Sequence, residues 1–121
     1  VKSDIPPPPA ELAHLSAHLM PEQLLAFIRA FGGTRLYIPK TPAAGPLVEA
    51  VGWDGARALA TWRGGEEVKV PIARHWQIRV LKHEGHSYSE IARRLRISED
   101  TVWRNLSAAR LTAHQPDLFE G

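Results

Sequence analysis

The sequence predicts a mostly α-helical fold with a small β element: helices and two short strands through residue 70, then three helices in close succession. Three observations carry this expectation. Apolar residues recur at spacings of three and four along most of the chain, the mark of helices with one buried face. Two brief stretches, Thr34 to Pro39 and Glu66 to Pro71, each run into a proline and read as single strands. From Ile72 onward the pattern is wholly helical and is punctuated by Gly85, Ser87 and Ser98, residues that stop and start helices.

Taken in order, Pro6 to Pro9 cannot enter a helix interior and favours an extended polyproline conformation, so residues 1–9 read as a proline-rich arm. Leu12, Leu15 and Leu19 give a short amphipathic helix from Ala10 to Met20. Pro21 sits in the first turn of a second helix, whose Leu24, Leu25, Phe27, Ile28 and Phe31 form a wide apolar face that Gly32-Gly33 ends. The strand Leu36-Tyr37-Ile38-Pro39 follows, then a loop from Pro42 to Pro46. Leu47, Val48 and Val51 mark a short helix that stops near Gly52, and Asp54 caps another through Ala56, Leu59, Ala60 and Trp62, closed by Gly64-Gly65. Residues 66–71 form the second strand and its exit, and no internal repeat is apparent.

At 121 residues the chain is long enough for one ordinary domain or two small ones short of core, for which oligomerisation is the usual remedy. Its 44% hydrophobic and 23% charged residues are those of a soluble protein, and no apolar run approaches the roughly 20 residues a membrane helix needs. The absence of cysteine excludes disulfides, thiolate metal sites and cysteine nucleophiles, and fits a reducing cytoplasm. Val1 to Pro9 lacks a signal-peptide pattern, so the expected location is the cytoplasm. The net charge of +2 is unevenly spread: residues 1–70 hold seven Lys or Arg against seven Asp or Glu, residues 71–114 eight against four. A basic segment that also carries His75, His83, His86 and His114 is an electrostatic footprint for a polyanion, though on charge alone a solvated face is the better reading.

That basic segment is also where the helices are most tightly patterned. Ile72, Trp76, Val80 and Leu81 mark a first helix that ends near His83 and Gly85. Ser87-Tyr88-Ser89-Glu90 has the form of a capping box and opens a short second helix, with Ile91, Ala92 and Leu95 inward and Arg93, Arg94 and Arg96 outward. Ile97 plugs the turn, Ser98 caps again, and Val102 with Leu106 anchors a third helix. A small residue where two helices meet, an apolar plug in the turn, and a last helix with one polar face free describe a helix-turn-helix, a motif that reads double-stranded DNA. Arg96 stands where glycine is commonest.

On this reading Ser98, Asp100, Thr101, Trp103, Arg104 and Ser107 face the major groove. Arg104 suits guanine O6 and N7, Ser98 or Thr101 a phosphate or a thymine methyl, and Glu99 or Asp100 the N4 of cytosine. Trp103 is open between flank packing and the groove. Ser87, Tyr88, Arg93 and Arg94 are placed to hold phosphates, which fixes register without reading sequence.

With these residues in view the chain resembles the Mor family, the middle-operon transcription activators of Mu-like bacteriophages. The resemblance spans roughly residues 22–110 and rests on Gly32-Gly33, the strand Leu36-Tyr37-Ile38-Pro39, the short strand ending in Pro71, and Ser98-Glu99-Asp100-Thr101-Val102-Trp103-Arg104. It implies a homodimer interlocked through N-terminal helices and a strand, two DNA-binding domains on an imperfect repeat, and recruitment of RNA polymerase. Glu66 and Glu67 depart from what a DNA-approaching linker wants, and the Pro6 to Pro9 arm has no counterpart in the family.

The expected organisation is therefore a proline-rich arm (1–9), a dimerisation domain (10–65), a strand linker (66–71), a helix-turn-helix domain (72–112) and a tail (113–121). Leu24, Phe27, Ile28, Phe31, Leu36, Tyr37 and Ile38 are the expected dimer contacts, because two single strands each lack a partner for their backbone groups. The expected partners are double-stranded DNA, a second copy and host RNA polymerase, without a membrane, cofactor or metal. His14 and His18 have a zinc-compatible spacing but no third ligand, and no phosphate loop or nucleophile elbow points to an enzyme. A repressor of the same architecture, or a phage DNA-packaging or structural protein, remains as the alternative.

Overall fold

A computed structural model describes residues 5–107. The first four residues of the arm, the end of the helix-turn-helix span at 108–112 and the tail at 113–121 lie outside the described residues. The fold is mostly helical with one small sheet, as the patterning requires, and it divides into two compact units between Ala73 and Arg74.

In the first unit the helix expected from Ala10 to Met20 is shorter and broken. A 3-10 turn at Ala10–Leu12 leads into α1 (Ala13–Ser16), after which the chain turns, and Leu12, Leu15 and Leu19 are all buried. Pro21 ends the segment by holding Met20 in extended backbone at φ −69°, ψ 156°. Helix α2 (Pro21–Phe31) begins there, and its Gln23 Oε1 accepts a hydrogen bond from the Met20 N–H at 2.9 Å. Helix α3 (Pro46–Arg63) is two helices joined at Gly52, whose φ of 77° and ψ of 171° break the spiral where the sequence places a stop. The carboxylate of Asp54 lies against the Arg57 guanidinium one turn on.

Strands β1 (Arg35–Ile38) and β2 (Glu66–Lys69) pair with each other, antiparallel, with Arg35 opposite Lys69 and Ile38 opposite Glu66. The expectation that each strand lacks a partner within the chain is therefore corrected. Residues 66–69, expected as a brief strand within a strand linker, are the second strand of this sheet. Both strands are reached by the same local device. Gly32 and Gly64 each cap a helix so closely that a Cβ would stand 2.6 Å from the carbonyl oxygen four residues back, and Gly33 and Gly65 then turn the chain with φ of 85° and 86°. Side chains with a Cβ are excluded from the first position sterically and strained at the second. The sheet alternates: Ile38 and Val68 are buried, whereas Arg35, Tyr37, Glu67 and Lys69 are exposed.

The second unit comprises α4 (Arg74–His83), α5 (Tyr88–Leu95) and a helix α6 over residues 99–107. Ile72 does not belong to α4. It precedes the helix with 46% of its surface exposed, because Ala73 takes a left-handed φ of 50° and the helix can start only after it. The inward side of α4 is set by Ile78 and Leu81, which join Ile91, Ala92 and Val102 in one cluster; Tyr88, Leu95, Ile97 and Leu106 pack against it, half-buried. Trp76 and Val80 are buried as well.

Candidate nucleic-acid interface

The starts of α5 and α6 are each tied down by short-range hydrogen bonds. The Ser87 hydroxyl accepts from the Glu90 N–H at 3.2 Å, while the Glu90 carboxylate accepts from the Ser87 N–H at 3.2 Å, completing the capping box. The hydrogen bond from the Ser87 backbone holds the Glu90 carboxyl below the ordinary glutamate range, helped by His86 and Arg94 and opposed by partial burial. Since the folded value is the lower one, the cap contributes fully above the ordinary glutamate pKa and is lost as the pH falls through the lowered value. His86 lies between two carboxylates, 3.5 Å from Glu90 and 3.9 Å from Glu84.

Between α5 and α6 the chain reverses in three residues. Arg96 takes φ 57°, ψ 48°, the left-handed conformation usually given to glycine. It is held there because its own N–H and that of Ile97 both donate to the Ala92 carbonyl. Ser98 then caps α6, its hydroxyl accepting from the Thr101 N–H at 3.0 Å and meeting the Thr101 hydroxyl at 2.8 Å. Both hydroxyls expected at the DNA are thus engaged with each other at the helix start, with Ser98 exposed and Thr101 half-buried.

The faces of α6 follow from its anchoring. Val102 is fully buried and Leu106 half-buried, so one side of the helix is committed to the core. At about 100° per residue, Asp100, Trp103, Arg104 and Ser107 fall within roughly 100° of one another on the opposite side. Asp100 and Arg104 are exposed, Trp103 is 55% exposed, and Ser107 is half-buried. Asp100 and Arg104 meet, Oδ2 to Nη2 at 3.0 Å. This contact was legible as an acid four residues before a base, yet reading each residue against the groove alone passed over it. Asn105, also unremarked in the sequence, donates from Nδ2 to the Thr101 carbonyl at 2.7 Å and stiffens the first turns of α6.

The residues expected at phosphates cluster around α5. Arg93 and Arg94 are exposed on its outer side, Ser87 is exposed at its start, and Tyr88 is half-buried. The Lys82 ammonium stands 5.1 Å from the centre of the Tyr88 ring, bringing a further cation to the helix start. Sequence spacing carries no signal for this pair, because the two residues belong to different helices. The expected dimer contacts divide. Leu24, Phe27, Ile28 and Ile38 are buried within the single chain, whereas Phe31 and Leu36 are half-buried and Tyr37 is 57% exposed. Of the histidine pair, His18 lies in the turn beyond α1, and the His14 ring stands 5.9 Å from that of Trp62. No helix among the described residues is long and apolar enough to cross a membrane.

Comparison with known proteins agrees with this geometry. No curated protein and no solved structure matches the chain. Residues 66–112 match the homeodomain-like domain family, a span that takes in α4, α5 and α6. With a cap, a left-handed turn and an exposed polar stripe on its last helix, the C-terminal part of this chain has the build of a helix-turn-helix and is similar to the homeodomain-like domain family.

Proposed function

We propose that the chain is a sequence-specific, double-stranded-DNA-binding transcription regulator of the Mor type, acting as a homodimer upstream of a phage or prophage promoter in the bacterial cytoplasm and recruiting host RNA polymerase. The observation that carries the DNA-reading part is the stripe of Asp100, Trp103, Arg104 and Ser107 on the side of α6 turned away from Val102. A helix anchored along one edge and polar along the other enters a major groove with that polar edge foremost. Arg93 and Arg94 on α5, with Lys82 beside Tyr88, supply phosphate contacts that fix its register. Binding should weaken steeply with salt, and Arg93→Ala with Arg94→Ala should lower the salt slope by about two and weaken specific and random duplexes alike. Fluorescence anisotropy across a salt series measures both, and a loss confined to the specific site would contradict the phosphate role.

The homodimer rests on two further features. Among the described residues the two-stranded sheet leaves one edge of each strand without a neighbouring strand, and an apolar cavity of about 310 Å³ beside β1 is lined by Phe31, Leu36, Tyr37, Pro39, Pro46 and Leu47. With Leu24, Phe27, Ile28 and Ile38 turned inward, Phe31, Leu36 and Tyr37 are the contacts left for a second copy. Sedimentation at micromolar concentration should give a dimer, and Leu36→Asp with Tyr37→Asp should give a monomer. A wild-type monomer would refute the dimer, and a ring would favour a packaging subunit over a regulator.

A further inference from the structure

We infer that Asp100 is a positioning residue: it holds the Arg104 guanidinium toward the groove in advance of binding and reads no base itself. The inference rests on the DNA-reading role of α6 proposed above, and it revises the sequence-level expectation that Asp100 accepts from cytosine N4. Asp100 Oδ2 stands 3.0 Å from Arg104 Nη2, one helical turn along the exposed stripe of α6. An arginine in this place is otherwise free to sample many rotamers, and the entropy of ordering it opposes every contact it makes. One engaged terminal nitrogen uses part of a five-donor fork, leaving N–H groups for guanine O6 and N7.

Charge argues the same way. A carboxylate entering a groove bordered by phosphates is repelled unless a cation accompanies it, and Asp100 enters already paired. Its place in the first turn of α6 adds the attraction between a negative charge and the helix N-terminus. Accepting from cytosine would require it to release Arg104 in the same step that Arg104 needs orienting. In water the exposed pair is weak; as the groove excludes solvent, the same geometry strengthens.

Selection of binding sites from a random duplex library by the full chain separates the possibilities. Arg104→Ala identifies the base pair that Arg104 reads. Asp100→Ala should weaken preference at that same base pair by roughly three- to tenfold, leave every other position unchanged, and lower thermal melting by only a few degrees. Asp100→Glu, which still reaches a residue four positions on, should restore most of the preference, and Asp100→Ala should add nothing in the Arg104→Ala background. A change at a different base pair, with the Arg104 position intact, would show that Asp100 reads a base, and no change anywhere would show an ion pair without a role; either overturns the inference while leaving the DNA-reading proposal in place. An Arg104→Ala profile identical to wild type would instead remove both.

Discussion

Ile91→Ala is expected to unfold the helix-turn-helix or leave it barely stable. Ile91 is fully buried at the centre of the cluster formed with Ile78, Leu81, Ala92 and Val102, so truncation leaves a cavity that three helices border and cannot easily collapse around. Such substitutions cost about 2–5 kcal/mol. A unit this small has little reserve, since whole domains hold only about 5–15 kcal/mol. The thermal midpoint read by circular dichroism should fall by roughly 10 °C or more, and DNA binding should be lost at temperatures where the wild type binds. Arg93→Ala, at an exposed position on the same helix, is the control and should move the midpoint little. A midpoint for Ile91→Ala within experimental error of the wild type would mean that this cluster does not hold the unit together.

Arg104→Ala tests the opposite property, a residue that matters for recognition and not for folding. Its side chain is exposed, and its contact with Asp100 is an exposed pair of the kind that contributes a few tenths of a kcal/mol in a helix. The variant should therefore fold and assemble as the wild type does. Losing a bidentate guanine contact costs about 1–3 kcal/mol, which is roughly five- to 150-fold in preference at one base pair of each half-site. The loss should be confined to that base pair, in contrast to the Arg93 and Arg94 changes, which act on all sequences equally. Site selection with both proteins measures it, and an unchanged preference at every position would exclude base reading through Arg104.

The helix-turn-helix was legible in the sequence because nearly everything that specifies it is local. The capping box from Ser87 to Glu90, the cap of Ser98 on Thr101, and the inward run of Ile91, Ala92, Val102 and Leu106 depend on spacings of one or two helical turns, and such spacings survive in any tertiary context. The two glycine pairs were legible for the same reason, since a turn out of a helix is decided by the residues that make it. Arg96 marks the limit of local reading: a residue type disfavoured in the left-handed region is held there by the packing of Ile97 and the hydrogen bonds to Ala92.

What only the tertiary structure decided are the choices between equally good partners. Periodicity showed that Leu24, Phe27, Ile28 and Ile38 form apolar faces, but hydrophobic burial is non-directional, so the sequence could not say whether their own chain or a second copy covers them. The two strands likewise advertised their need for hydrogen-bond partners without naming each other, because backbone pairing carries no side-chain address over a long stretch of intervening chain. The meeting of Lys82 with Tyr88 was settled by how α4 and α5 close on one another. Local hydrogen bonds and helical spacing determined the recognition unit; the cost of leaving apolar surface and strand edges uncovered determined the rest, and that cost is met only when the whole chain is folded.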